Sequence, residues 1–323
     1  MKSKIIVCIG ALLCLAAAKV INDELAMPIA KVTLRVIDED SHPVAGAKVR
    51  FGFTGKYDVK EIVYGEGLTN ADGIYTGEGP TTSQLGADIT RDGYYLSGAA
   101  MPKFTDIVDG RWQPWNASTE TVLRRILRPI AMCAKRTWVT VPEVDKLCGY
   151  DLEVGDWISP YGHGNTADLV MKLKREYKNR ETYDESLQIS FSNSADGIQE
   201  AKLPTQWRGS QFNWPRYAPD SEYQPTLFVR VSRETRNAPT ERSANQGKPY
   251  YFRVRTFVRD GRIISALYGK MTEGFSLAPL ASKTCDVQLN YYLNPTPLDR
   301  NMEFDLKRNL LTGLKYDEQP RDP

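Results

Sequence analysis

A chain of 323 residues is too long for one comfortable hydrophobic core, so two domains are the default. Its 41% hydrophobic and 25% charged residues are those of an ordinary globular protein. The 42 basic residues are interspersed among 40 acidic ones, which leaves no electrostatic footprint for nucleic acid or an anionic membrane surface.

Residues 1–18 read as a secretory signal peptide. Lys2 and Lys4 make a positive start, Ile5 to Leu15 an apolar stretch, and Ala16-Ala17-Ala18 a small-residue cleavage site. The uncharged run from Ile5 to Ala18 is 14 residues, short of the roughly 20 a membrane span needs. Val7 before Cys8 and Leu13 before Cys14 do not suit lipid attachment. The expectation is an exported chain, periplasmic, extracellular or at the cell surface, with no transmembrane segment after signal cleavage. Without the leader the charge balance is 42 − 2 = 40 basic against 40 acidic. Cys133, Cys148 and Cys285 remain. Two readings stand: a Cys133–Cys148 disulfide, which would stabilise by about 3 kcal/mol through loop closure, or three buried thiols. No cysteine or histidine spacing resembles a metal site, and no metal or cofactor is expected.

After a short lead-in, Val32, Leu34 and Val36 alternate with Thr33, Arg35 and Ile37, the mark of a strand with one face inward. Asp38-Glu39-Asp40-Ser41 is turn chemistry, and Pro43-Val44-x-Gly46-Ala47 leads into a second run through Val49, Phe51 and Phe53. Asp72-Gly73 predicts a positive-φ hairpin turn before Tyr75. Asp38, Asp40, Asn70 and Asp72 could be grouped as a calcium site, but the twelve-residue calcium-loop pattern is absent and turn acids are usually solvated.

Together, Pro43, Val44, Gly46, Ala47 and Val49, followed by Thr69, Asp72, Gly73 and Tyr75, resemble the carboxypeptidase regulatory-like domain. That likeness covers residues 31–130 and implies a transthyretin-like β-sandwich that stabilises or presents a neighbour without catalysis of its own. Later phrases such as GYDLEVGDWISPYGHG and YYLNPTPLDRNMEFD resemble uncharacterised secreted bacterial proteins carrying such a domain, a likeness that brings no activity.

Residues 119–128 are ambiguous. Val122, Leu123, Ile126 and Leu127 fit a helical stripe, but Pro129 would end it; the family resemblance makes this the closing strand. Asn116-Ala117-Ser118 is a glycosylation sequon. Residues 131–310 read as a second antiparallel β-sandwich-like domain, with strand candidates at 137–141, 168–173, 187–191, 227–231, 251–258, 263–268 and 287–293. Asp260-Gly261 between two β-rich runs is the clearest hairpin signal. Residues 311–323 form a tail. The fold class is therefore all-β.

Chemistry has two places to hide. The segment Gly149–Asp168 holds Asp151, Asp156 and His163, and a glycoside hydrolase would use Asp156 with a second carboxylate as its acid/base pair. The bland reading is a loop whose acids serve turns. All six tryptophans fall between residues 112 and 214. Trp112, Trp115, Trp207 and Trp214 suit a binding patch for glycan rings or a protein partner, or else they plug the domain seam. The chain has no G-x-S-x-G, dinucleotide fingerprint or P-loop. The expectation is an exported, non-catalytic binding or scaffolding protein. The alternatives are an envelope-polysaccharide hydrolase using the 149–168 loop and a structural subunit of a surface assembly.

Overall fold

The computed structural model describes residues 27–54, 61–82, 85–279 and 283–323, so the signal-peptide reading lies outside the described residues. The fold is all-β. Among the described residues no helix is long and apolar enough to cross a membrane. Two compact units form: the first runs to Leu127 and takes in Thr205–Asn213, and the second holds Arg128–Pro204 and Trp214–Pro323.

The first unit contains β1 (Ile29–Asp38), β2 (Lys48–Thr54), β3 (Glu61–Leu68), β4 (Ile74–Pro80), β5 (Leu85–Thr90), β6 (Ser97–Gly98), β7 (Asp106–Val108), β8 (Arg111–Gln113) and β9 (Ala117–Leu123). One sheet runs β4-β1-β8-β7 with β9 also on β1, and the other runs β3-β2-β5-β6. The β1 alternation buries Val32, Leu34 and Val36 against Val49, Phe51 and Ile89, each such side chain contributing about 1.5–3 kcal/mol. Parallel pairing of β9 with β1, from Val32↔Ala117 to Asp38↔Leu123, resolves residues 119–123 as strand, while 124–128 lie outside it. Val122 and Leu123 are buried while Ile126 and Leu127 are exposed, so the helical stripe never meets a core.

Gly73 takes the expected positive φ of 73°, and a Cβ there would lie 2.4 Å from the Val36 carbonyl oxygen. The turn is not a hairpin, however. It joins β3 and β4, which belong to different sheets, and the Asn70 side-chain oxygen shapes it by accepting from the amides of Asp72 (3.0 Å) and Ile74 (2.8 Å). At the β6 edge of the second sheet lies Thr205–Asn213: the Gly98 amide donates to Gly209 and the Gln211 amide to Leu96, both at 2.8 Å. Division of the chain at residue 130 does not foresee this return.

The second unit contains β10 (Ile130–Thr140), β11 (Leu147–Asp151), β12 (Asp156–Trp157), β13 (Leu169–Asn179), β14 (Thr182–Ser190), β15 (Gly197–Glu200), β16 (Thr226–Arg233), β17 (Glu241–Arg242), β18 (Tyr250–Arg259), β19 (Arg262–Pro279), β20 (Cys285–Asn294) and β21 (Phe304–Asn309). They form two six-stranded sheets, β15-β18-β19-β20-β10-β21 and β12-β11-β13-β14-β16-β17. Leu169, Met171, Leu187, Ile189 and Val229 of one sheet share a core with Phe252, Val287, Leu289, Tyr291 and Leu293 of the other. The Asp260-Gly261 hairpin forms as expected: Arg259 pairs with Arg262 across the two residues, whose φ values of 51° and 70° are those of a type I′ turn.

Strand alternation also decides what the outer face of the β10–β20 pair displays. Val287, Leu289 and Tyr291 point inward, so Gln288, Asn290 and Tyr292 point outward. Across the ladder Ala134 stands opposite Tyr292, Arg136 opposite Asn290, and Trp138 opposite Gln288. One end of this face is covered: Met132, Ala134, Tyr292 and Phe304 cluster there, and Lys270 is fully buried. The Lys270 ammonium donates to the Pro323 carbonyl at 2.7 Å and lies 4.7 Å from the ring centroid of Tyr292 and 5.5 Å from that of Trp214. The other end, from Arg136 to Trp138, is open.

Candidate functional site

Where the cover stops, the open end of this sheet face forms a groove of about 400 Å³. Its floor is Arg136, Thr137 and Trp138 of β10 with Gln288 and Asn290 of β20, and its wall is Lys315, Asp317, Glu318 and Arg321 of the tail. Trp138 is 49% exposed, the only tryptophan of the six that is not buried or half-buried. A ring held on a strand and open on one side is a stacking platform, because the strand fixes its direction before any ligand arrives.

The polar groups around it are also held in place. Glu273 on β19 accepts from the side-chain amides of Gln288 (2.7 Å) and Asn290 (2.8 Å) with the same oxygen. One N–H of each amide is held there, which orients the group and leaves a second N–H and the carbonyl oxygen. The tail wall is anchored by Glu318, which accepts from the Lys315 amide at 3.0 Å and pairs with Lys135 at 3.2 Å. The Lys315 amide and then Lys135 hold Glu318 below the usual carboxylate range despite some burial. Lys135 also donates to the Gly155 carbonyl at 3.0 Å, which ties the tail to the loop after β11.

The 149–168 loop is built differently from an open cleft. Asp151 and Asp156 stand opposite each other across β11 and β12. The buried Asp151 accepts from the amides of Glu153, Val154, Asn165 and Thr166 and from Arg255. Burial pulls its pKa up, but those amides and Arg255 outweigh this and hold it below the usual range. Arg255 bridges Asp151 (3.0 Å), Asp168 (2.8 and 2.9 Å) and Glu153. It does so from a positive φ of 55° in a β18 bulge, where the amides of Arg255 and Thr256 donate to the buried Asp196. Asp156 accepts from the amides of Trp157 (2.8 Å) and His163 (2.9 Å) and faces the His163 ring at 3.2 Å, on a histidine side chain that is 96% exposed. In this arrangement the carboxylates shape the loop.

The four singled-out tryptophans are each buried or half-buried. Trp112 is half-buried, donating from its indole to the Thr81 carbonyl at 2.9 Å. Trp115 is half-buried with Arg111 4.9 Å and Lys31 5.8 Å from its ring centroid, and Trp207 is half-buried on Arg124. Trp214, at 3% exposure, packs edge-on to Tyr251 and offers no platform. Cys133 and Cys148 form no disulfide; with Cys285 they are free, buried thiols, on strands of both sheets. Burial pushes the Cys133 thiol up to about 11.

In the first unit, Asp38, Asp40 and His42 come close together, but Arg125 pairs with both acids and the Asp38 side chain accepts from the amides of Asp40 and His42. Asn70 serves its own turn.

One signal for Trp138 was present in the sequence. Val139 and Val141 mark the inward face of that strand, which leaves Arg136, Trp138 and Thr140 outward, and the VQLNYYL run sorts Gln288 and Asn290 in the same way. The pairing that sets these two outward faces side by side, and the tail that walls them, are long-range and carry no local signal.

No protein-family model matches the sequence, and no curated protein matches it. Among solved structures, the shaft pilin SpaA of Lactobacillus rhamnosus GG aligns over 81% of this chain and 93% of its own, at 12% identity and a TM-score of 0.20. The major pilin subunit BcpA of Bacillus cereus aligns over 87% and 97%, at 11% identity and 0.20. A candidate carbohydrate-binding protein from Bacteroides uniformis aligns over 84% and 99%, at 10% identity and 0.19. At such TM-scores these likenesses carry no functional argument.

Proposed function

We propose that this chain is an exported, non-catalytic protein that binds a saccharide in the groove of its second unit, with the first unit as an accessory sandwich of the carboxypeptidase regulatory-like kind. The observation that supports this most is Trp138: an exposed ring on a rigid strand, beside side-chain amides already oriented by Glu273. Sugar rings present apolar C–H faces for stacking and hydroxyls for planar polar partners, and the floor supplies both. The edge strands of the second unit are short, two residues each for β12 and β17, four for β15 and six for β21, which counts against assembly by edge pairing of that unit.

The test is a glycan array probed with residues 19–323, followed by calorimetric titration of the hits with wild type and Trp138→Ala. The expected result is saccharide binding that weakens at least tenfold in Trp138→Ala, with an unchanged melting curve because the ring is exposed. Binding that ignores the substitution, or an array with no hits, would refute the proposal.

A further inference from the structure

We infer that the groove selects saccharides carrying a carboxylate, with Arg136 as the group that recognises it. This rests on the saccharide reading above and goes beyond it by naming the ligand's charge. Arg136 lies on the floor two residues from Trp138 and directly opposite Asn290. Residues at that spacing on one face of a strand are about 7 Å apart, close enough for one sugar ring to meet both. Among the described residues the Arg136 side chain makes no hydrogen bond and no ion pair.

The neighbouring acids are already engaged. Glu273 is bound by the Gln288 and Asn290 amides, and Glu318 by Lys135 and the Lys315 amide. The wall adds Lys315 and Arg321 against Asp317, so the groove carries more uncommitted positive than negative charge. Its floor therefore offers an aromatic face, the half-buried Gln288 amide and a guanidinium, with Asn290 buried beneath them. A sugar acid offers their complements: a C–H face, hydroxyl donors and a planar carboxylate. An arginine fork matches a carboxylate in two parallel hydrogen bonds, which a methyl ester or a neutral hydroxyl does not reproduce.

The experiment titrates residues 19–323 with oligogalacturonate, its methyl ester, a neutral galactan and a sulfated galactan, for wild type, Arg136→Gln and Arg136→Lys. The acid is expected to bind at least tenfold tighter than its ester and to lose that margin as salt is raised. Arg136→Gln should bring acid and ester to the same affinity without weakening the ester, and Arg136→Lys should restore only part of the difference. Circular dichroism on each variant confirms the fold, and Arg321→Gln, in the wall, should reduce the preference less. Equal binding of acid and ester, or a preference that survives Arg136→Gln, would overturn the inference while leaving saccharide binding intact if Trp138→Ala still abolishes it. Sulfated galactan binding as tightly as the acid would also overturn it, showing anion attraction without carboxylate selection. If none of the four binds and the array is empty, the saccharide reading falls and this inference falls with it.

Discussion

The guanidinium carbon of Arg124 lies 3.8 Å from the ring centroid of Trp207, and its Nε donates to Glu39 at 2.9 Å. Arg124 is 1% exposed, and its Nη1 also donates to the Phe212 carbonyl at 3.1 Å. Arg124→Met keeps the bulk but takes this partner from Glu39. Breaking a buried pair costs about 3–5 kcal/mol, and the low end applies here because Glu39 keeps some solvent contact. Urea denaturation followed by Trp fluorescence reads it; a loss below about 1 kcal/mol would show that the stack is ornamental.

Lys270 anchors the end of the tail that walls the groove. Lys270→Met keeps the length of the side chain but takes the donor from the buried Pro323 oxygen and the cation from the Tyr292 and Trp214 rings, so global stability should fall by about 1–3 kcal/mol. Residues 316–323 should meanwhile become accessible to carboxypeptidase digestion. Equal digestion of the variant and wild type would rule out the anchor.

The 149–168 loop makes stability depend on acid. Asp151 has a folded pKa below its unfolded value, so its stabilisation is fully present above about pH 4 and is lost as pH falls through the lower, folded value. Asp168 runs the other way: burial raises it over the opposing pull of Arg255, so its ionisation costs stability that returns as pH drops. Asp151→Asn should lower the urea midpoint at pH 7 and flatten its decline between pH 5 and pH 2. A variant whose midpoint falls with acid as steeply as wild type would exclude Asp151 as the source.

Three buried thiols give a simple count. In residues 19–323, Ellman's reagent should find almost none at neutral pH, because burial raises the pKa of Cys133, Cys148 and Cys285, and three once urea opens the fold. Only one thiol after unfolding would mean that Cys133 and Cys148 pair after all.

Much of the fold was legible where the chain speaks locally. The Val32-Leu34-Val36 alternation and the Asp260-Gly261 turn each specify their element within a few residues, and both form. The turn at Gly73 was half legible: its positive φ follows from residue type, but which sheets it joins does not. Arg255 was invisible, since neither its positive φ nor its three carboxylate partners, about a hundred residues away for Asp151, leave a mark near it. The exposure of the tryptophans was not legible from their polar neighbours, since it is set by where the fold places each ring. Trp214, outside any strand, is buried, and Trp138, on the outer face of β10, is exposed.

The return of Thr205–Asn213 to the first unit has a consequence in time. A ribosome emits Leu127 well before Trp207, so the first unit must wait, with Arg124 uncapped and the β6 edge open, until much of the second has been made. Folding of the two units is thereby interleaved along the chain: the earlier one is finished only by residues encoded within the later.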